Sequence, residues 1–283
     1  MRLGLRGRGG STGRMRSEVR RIGPDLRHSL SALLDQDPVA NVFLRSELRL
    51  GAPLDGWWGL GRDGALTAAL MGGSLVVPWI PDPADVPPLA EVLHWQPAPR
   101  LIIGPAPAVR ALTASLAPRR RPAEVRDPQP VMVLAGAPQG ASGAPIRRGT
   151  REDLDRLTVA SAAMHREEMG VDPLAFDPLG WRQRMATLID RGWSYLLMEE
   201  DQIAFKVELS AWTPEAVQLQ GVWTDPRYRR RGIATAAMAA VCDALLREAP
   251  ICSLYVNSYN EPALRLYRRL GFRQATEFAT VIF

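Results

Sequence analysis

The chain contains almost no lysine, since 34 of its 35 basic residues are arginine and Lys206 is the single exception. An arginine-rich source genome would explain this bias, and the bias by itself indicates no function. Cysteine is equally scarce, with only Cys242 and Cys252, and the three histidines are scattered. These numbers exclude a disulfide framework and give no metal-ligand spacing, so we expect a reducing, cytoplasmic location and no metal.

Long apolar runs are also missing. No stretch approaches the roughly 20 apolar residues that a membrane-spanning helix needs. The first 21 residues are rich in Arg and Gly but lack the apolar centre of a secretory signal. The sequence therefore predicts no membrane partner and no secretory leader, and Met15 is a second candidate for the start of translation.

The excess of positive charge is concentrated at one end of the chain. The formal net charge is +5 and the pI about 9.7. Residues 1–22 hold seven Arg and one Glu, a net of +6, which leaves −1 on everything that follows. A nucleic-acid-binding face would need clustered charge on the folded part. We interpret residues 1–22 as a basic disordered tail and expect no nucleic-acid partner, with DNA binding through that tail as a rival hypothesis.

The length and composition predict two folded domains. A chain of 283 residues that is 46% apolar and holds eight Trp can bury two separate cores. The run Gly136 to Pro145 has many helix and strand breakers and no periodicity, which is typical of a linker. We therefore predict one domain over 23–135, a linker over 136–143 and a second domain over 144–283.

The second domain alternates regularly between strand and helix patterns. Their order, β-α-α-β-β-β-α-β-α-β, indicates an α+β fold with a mixed sheet. Thr150 to Asp153 resembles a capping box, which opens the first of these helices. We predict strands at 145–148, 193–198, 203–211, 216–224, 251–256 and 272–283, and helices at 150–169, 177–190, 234–247 and 261–270.

The first domain has a similar α/β style but no group of residues that suggests chemistry. We predict helices at 25–34, 39–50 and 106–116, and strands at 65–78, 101–103 and 131–134.

The most informative run extends from Gln220 to Thr235, QGVWTDPRYRRRGIAT. It predicts a strand, a turn marked by proline, and a basic loop that leads into a helix of small residues. The first N–H groups of a helix have no internal partner and carry partial positive charge, which suits an anion. Gly232 has no Cβ to hold a bulky anion away from the backbone. The run predicts a site for a phosphate-bearing ligand, and a solvated basic turn is the alternative.

Two motifs in this half resemble one family. R-x-x-G-x-A at 229–234, after the strand that ends in Val222 to Pro226, resembles the acetyl-CoA signature of the GCN5-related N-acetyltransferases (GNAT). The run Asn260 to Phe272 resembles the family motif N-x-x-A-x-x-x-Y-x-x-x-G-F. The resemblance covers about 144–283. It implies the acyl-CoA N-acyltransferase fold, acetyl-CoA as acyl donor without a metal, and a small-molecule or protein amine as acceptor.

The resemblance also assigns cofactor-binding residues. In the family the pyrophosphate lies on the loop and helix start that here comprise Arg229, Arg230, Arg231, Gly232, Ile233, Ala234 and Thr235. The strand end, Val222, Trp223 and Thr224, would pair with the pantetheine arm through main-chain hydrogen bonds, and a backbone N–H there would stabilise the oxyanion. The Trp223 side chain has a core position as its alternative.

Tyr267 is predicted to be the general acid. It lies seven residues, or two helical turns, after Asn260, so both would share one helix face and Asn260 would hold the cofactor arm. A phenol with a pKa near 10 stays protonated and can protonate the departing thiolate. The alternative is a core position beside Ala263 and Leu270.

The general base is less clearly marked. An amine with a pKa near 10 must lose a proton before it attacks. Glu208, in the middle of a predicted strand, is our candidate as a half-buried carboxylate of raised pKa, with a solvent-facing position or a chain of waters as alternatives. The ribosomal-protein alanine acetyltransferases of the family carry Glu where Tyr255 stands. Histone-type members carry it near Gln218, and Glu215 is the other nearby carboxylate.

The sequence thus predicts an N-acetyltransferase that works by direct attack in a ternary complex, since no Cys or Ser lies in a nucleophile motif. The alternative is a non-catalytic acetyl-CoA-binding regulatory module. The first half, with Asp35 to Asn41 before a helix, resembles the uncharacterised domain that precedes some bacterial acetyltransferase domains. We interpret it as a degenerate copy of the same fold that shapes the acceptor pocket without binding the cofactor. A monomer or a homodimer is expected.

Overall fold

The computed structural model describes residues 17–140 and 143–283. They pack as two units. The first unit comprises the described residues up to Val131 together with 255–259 and 274–283, and the second comprises 132–254 and 260–273. Residues 1–16, which include most of the predicted tail and Met15, lie outside the described residues.

The secondary structure consists of strands and helices in regular alternation. The strands are β1 (Ser17–Arg21), β2 (Trp57–Arg62), β3 (Ala65–Met71), β4 (Leu75–Trp79), β5 (Leu101–Pro105), β6 (Glu124–Leu134), β7 (Ile146–Arg148), β8 (Ser194–Glu199), β9 (Gln202–Trp212), β10 (Val217–Thr224), β11 (Cys252–Tyr255) and β12 (Arg273–Ile282). The helices are α1 (Arg27–Leu34), α2 (Val42–Arg49), α3 (Val86–Trp95), α4 (Ala106–Leu116), α5 (Leu154–Met169), α6 (Pro173–Phe176), α7 (Pro178–Asp190), α8 (Ile233–Leu245) and α9 (Glu261–Leu270).

The first unit is built on a sheet with the strand order β1-β2-β3-β4-β5-β12. Its pairs are antiparallel except for β4 with β5, which is parallel. One core cluster includes Leu70, Leu89 and Leu112, which come from β3, α3 and α4. A second cluster gathers leucines of α1 and α2 around the fully buried Trp57. The unit therefore has apolar cores that involve both its sheet and its helices.

The last residues of the predicted tail are part of the folded structure. Ser17–Arg21 was included in that tail, but it forms β1 and pairs with β2 over its whole length. The next residue, Ile22, is only 2% exposed. The arginines of this segment made it resemble a tail. It is a strand because its backbone pairs with β2, which lies far away in the sequence.

The second unit is built on the strand order β11-β10-β9-β8-β7. Neighbouring strands are antiparallel except for β10 with β11, which is parallel. Apolar residues of α5, α7 and the sheet form one core, which includes Leu157, Met185 and Leu196. The small-residue helix α8 buries Ala237, Val241 and Cys242, among others. Side chains of this size let a helix pack closely on a sheet.

The predicted element order of the second half is confirmed, with one short helix, α6, added. Besides β1, the first half holds two further elements that were not predicted, β2 and α3. The strand predicted at 65–78 forms two strands, β3 and β4, and β6 begins seven residues before the predicted strand at Val131. The packing division at Val131 and Met132 precedes the predicted linker over 136–143. That linker stays a prediction, because the division reports where residues pack and not which piece folds alone.

None of the helices among the described residues is long and apolar enough to cross a membrane.

The start of α5 is fixed by the capping residues that the sequence indicates. The Thr150 N–H and hydroxyl both donate to Asp153 Oδ2, at 2.8 and 3.0 Å. Two guanidinium nitrogens of Arg147 donate to the same carboxylate at 2.6 and 2.7 Å. The Arg147 hydrogen bonds, followed by those from Thr150, lower the pKa of Asp153 to about 2.

We expect Asp153→Asn to lower the free energy of unfolding by about 1 to 2 kcal/mol at pH 7. The native pKa lies below the unfolded value near 3.9, so the stabilisation is complete above about pH 4 and is lost as the pH falls towards 2. Thermal unfolding at a series of pH values from 7 to 3 measures the difference in stability between variant and wild type, which should become smaller as the pH falls. Asp201→Asn, in the exposed ion pair with Arg156, is the control and should change stability by less than about 0.5 kcal/mol.

Candidate active site

The parallel pairing between β10 and β11 is short. Its register comprises Val217 opposite Cys252 and Gln218 opposite Ser253. After Gln218, β10 continues to Thr224 beside β9, without a further register partner on β11. The two strands therefore separate just before the segment that the sequence assigns to the pantetheine arm.

A β-bulge lies in this part of β10. Gln220 is opposite Glu208 and Trp223 is opposite Lys206, so Gly221 and Val222 together face a single residue of β9. Gly221 has φ +60°, and a Cβ at this position would lie 2.6 Å from Glu208 Oε2. Both the backbone conformation and the close approach of the Glu208 carboxylate therefore favour glycine here.

A buried ion pair lies against the bulge. Lys206 Nζ donates to Glu208 Oε1 at 2.6 Å and to the Gly221 carbonyl at 3.0 Å. The Lys206 side chain is completely buried, and Glu208 is 3% exposed. Glu208 is therefore fully buried rather than half-buried or solvent-facing. Residues two apart along a strand point to the same face, which brings Lys206 beside it.

Trp223 lies in the core at the end of β10. It is 8% exposed and belongs to the cluster formed with α5 and α7. Its indole N–H donates to Glu167 Oε1 at 3.2 Å. The neighbouring Val222 and Thr224 are half-buried. The side chain of Trp223 is thus a core residue, and the main-chain contacts of Val222, Trp223 and Thr224 with a cofactor stay a prediction.

Arg229 connects the loop after β10 with two other elements. Its Nε donates to the Thr224 carbonyl at 2.9 Å, and one terminal nitrogen donates to Glu167 Oε2 at 2.6 Å. Glu167 was not among the predicted site residues. A signal was available, since an acidic residue in the last turn of a helix such as α5 opposes the helix dipole and needs another reason to be there. The structure supplies that reason in Trp223 and Arg229.

The loop before α8 depends on left-handed backbone. Arg230 has φ +62° and Gly232 has φ +78°. A Cβ on Gly232 would meet nothing within 4 Å, so the need for glycine in this structure comes from its φ and not from crowding. The Arg231 guanidinium lies over the Tyr228 ring, 5.6 Å from its centroid. These turns place the loop at the first turn of α8.

The first turn of α8 has the features of an anion site. No side chain of the described residues caps it, and its N-cap is Gly232. Ile233, Ala234 and Thr235 follow and are half-buried. The N–H groups of such a first turn have no partner within the helix, and the helix dipole adds positive potential. Together with Arg230 and Arg231, this is the geometry that a pyrophosphate needs, and its binding by these residues stays a prediction.

Asn260 is the N-cap of α9. Its side-chain oxygen accepts the Ala263 N–H at 3.2 Å. That Asn260 and Tyr267 share a helix face stays a prediction. The helix begins at Glu261, as the sequence predicts, and the amide of Asn260 is used for capping. Its contact with the cofactor arm stays a prediction.

Tyr267 is 5% exposed, on the same side of α9 as Leu264 and Leu270. Its ring centroid lies 5.7 Å from that of Phe272. Burial, and to a lesser extent the negative charges that Cys242 and Glu168 can carry, raise the pKa of Tyr267 above its ordinary value. The phenol is therefore protonated at neutral pH. Its position agrees with the core alternative, and its role as an acid stays a prediction.

The two cysteines are free and buried. Contact with Cys252 and burial raise the pKa of the Cys242 thiol, which disfavours a nucleophilic thiolate. Among residues 17–140 and 143–283, no group of three His, Cys, Asp or Glu side chains is arranged to hold a metal ion.

Two family models match the chain in succession. Residues 56–157 match a domain of unknown function, DUF4081, and residues 165–272 match the acetyltransferase (GNAT) family. The second match contains the β10 bulge, the arginine-rich loop, α8 and α9. A search of curated proteins finds no significant match.

Solved structures resemble the chain over nearly its whole length. A GNAT-family acetyltransferase from Colwellia psychrerythraea is 14% identical, with a TM-score of 0.61 over 94% of this chain and 99% of the other. A tandem GNAT protein from the clavulanic acid biosynthesis pathway is 13% identical, with a TM-score of 0.57 over 94% and 98%. A GCN5-related N-acetyltransferase from Sphaerobacter thermophilus is 15% identical, with a TM-score of 0.53 over 94% of both chains.

At these identities the likeness establishes the fold, and it includes the first half, as the sequence predicts. The predicted resemblances to the GNAT family and to its preceding domain are both confirmed. Residues 165–272 therefore match the acetyltransferase (GNAT) family, and both halves of the chain have the fold of that family.

Proposed function

We propose that the protein is an acetyl-CoA-dependent N-acyltransferase, which moves an acetyl group from the thioester to a primary amine by direct attack in a ternary complex. The amine belongs to a small molecule or a protein. The junction between β10 and α8 carries this proposal, because it combines separated strands, a bulge, left-handed turns and an uncapped helix start inside the GNAT-matched segment. The two free, buried cysteines agree with a reducing compartment such as the cytoplasm.

Each part of the junction has a role in the proposed binding mode. The first-turn N–H groups of Ile233, Ala234 and Thr235 and the side chains of Arg230 and Arg231 hold the pyrophosphate. The Arg229 side chain already contacts Glu167 and Thr224, so its role is to fix the loop rather than to reach the phosphates. The strand end from Val222 to Thr224 pairs with the pantetheine arm, and Asn260 lies near it.

Tyr267 is the proposed acid for the departing thiolate, since its raised pKa keeps the proton on the phenol. Glu208 is retained as the proposed base only through bridging water, because its burial and its bond to Lys206 prevent direct contact with an amine. A water chain without Glu208 is the competing route. The buried thiols provide no covalent alternative.

The first test is calorimetry of the full chain with CoA and acetyl-CoA, run beside thiol-release assays with acetyl-CoA and a panel of amines. We expect one CoA per chain, because the first half lacks the R-x-x-G-x-A motif. Binding without thiol release for any amine would favour the regulatory module. A chain that binds neither compound would contradict the whole proposal.

Gly232→Ala should weaken CoA binding by about tenfold. Left-handed backbone costs an alanine about 1–2 kcal/mol, so the loop shifts away from the conformation that leads into α8. Gly136→Ala is the matched control, since its Cβ meets nothing within 4 Å and its φ is not positive. Equal affinity in both variants would show that this loop does not hold the cofactor.

Tyr267→Phe should reduce kcat by at least about 100-fold with little change in the Kd for CoA, because a general acid acts in the transition state. Since the pKa of Tyr267 is raised, the wild-type rate should show no loss from its deprotonation below about pH 10. Tyr259→Phe removes a phenol that is 67% exposed and serves as control. Turnover of Tyr267→Phe at the wild-type rate would leave Tyr267 as a core residue only.

A further inference from the structure

We propose that Lys206 is a positioning residue, which holds the Gly221 carbonyl and so fixes the direction of the Val222 N–H towards the acyl carbonyl of acetyl-CoA. This inference rests on the proposed function, because it assigns the bulge of β10 to the acyl group of that same cofactor. It gives the single lysine of the chain a role in the reaction without contact with the substrate.

The contacts of Lys206 use its three N–H donors. They reach Glu208 Oε1 at 2.6 Å, the Gly221 carbonyl at 3.0 Å and the Met164 sulfur at 3.5 Å. A buried ammonium is tolerated only when it is paired and hydrogen-bonded, and Glu208 provides the opposite charge. The Gly221 carbonyl is the one main-chain group among the three acceptors, so through it the ion pair acts on the backbone of β10.

The bulge turns this peptide group out of the regular ladder. Gln220 and Trp223 are paired with β9, whereas Gly221 and Val222 lie between them opposite one residue. In a planar trans peptide the C=O and the following N–H point in opposite directions. Because the Gly221 carbonyl points towards the Lys206 ammonium group, the Val222 N–H of the same peptide group points away from Lys206. The bulge thus provides a main-chain donor whose direction a buried side chain controls.

Lysine suits this position better than arginine. The ammonium is a compact point charge with three rotatable donors, whereas the guanidinium is a larger planar fork. The space beside Gly221 is small, since an added Cβ there would lie 3.2 Å from Lys206 Nζ and 2.6 Å from Glu208 Oε2. In a chain whose other basic residues are all arginine, the one lysine lies at this confined and completely buried position.

A fixed donor of this kind matters most for the acyl group. An N–H that faces the thioester carbonyl binds it in the ground state and stabilises the oxyanion in the transition state. Free CoA has no acyl carbonyl and cannot use the donor. The affinity ratio between acetyl-CoA and CoA therefore reports on the Val222 N–H, and general damage to the fold would weaken both ligands equally.

The test replaces the ion pair by apolar residues of similar size in Lys206→Met/Glu208→Leu, which keeps the core filled and leaves no buried charge unpaired. We expect acetyl-CoA to bind about five- to tenfold more weakly, CoA affinity to change less than about twofold and kcat to fall about 100-fold. Ile203→Val, a core change in the same strand β9, is the control for stability and should leave both affinities unchanged. Calorimetry, thermal unfolding and steady-state rates are measured for each variant.

If the double substitution does not fold, a second variant can disturb the same peptide group between Gly221 and Val222. Gly221→Ala keeps both charges but places a methyl group against Glu208 Oε2, and should lower the ratio of acetyl-CoA affinity to CoA affinity.

Glu208→Gln tests the base separately. It keeps an acceptor for Lys206, so it should preserve the affinity ratio, and a fall in its kcat alone would identify Glu208 as the base. Equal weakening of both ligands, or no change in the ratio, would overturn the positioning role. Wild-type protein that binds neither ligand would instead refute the proposed function.

Discussion

The burial of one ammonium against a bulge in β10 is the constraint on which the candidate site depends. Removing an ammonium and a carboxylate from water costs several kcal/mol for each ion even after relaxation. Lys206 and Glu208 offset that cost only together with the Gly221 carbonyl, which is accessible because the bulge breaks the regular ladder. The ion pair and the irregular strand therefore support each other.

A second set of contacts fixes the other end of the same segment. Glu167 of α5 accepts from Trp223, at the end of β10, and from Arg229, at the start of the loop. The seven residues from Trp223 to Arg229 are thus held at both ends by one carboxylate. Preorganised main-chain donors stabilise charge without reorganisation during the reaction. Such a device requires a backbone held from outside, as the side chains of Lys206 and Glu167 hold it here.

The sequence was sufficient for the parts of the fold that depend on local signals. The capping residues Thr150 and Asp153, the alternation in β9 and β10, and the small residues of α8 all predict the elements that form. Helix α3 was not predicted, although its two prolines, Pro87 and Pro88, lie in the first turn, where a helix tolerates proline. β1 was missed because its arginines resembled a tail. The error at β1 concerns residues whose structure depends on β2, which is distant in the chain.

In the candidate site, too, local motifs can be predicted from the sequence, whereas features that depend on pairing with a distant strand cannot. Each residue of the R-x-x-G-x-A motif can be read from the sequence, because the motif is continuous. The bulge cannot, since it arises from the register between β9 and β10, and a shift of one residue there would turn Lys206 away from Gly221. Composition alone made the scarcity of lysine look like a bias of the whole chain. Burial shows that the exception is the informative residue, because the one lysine lies completely buried against Glu208 and the Gly221 carbonyl.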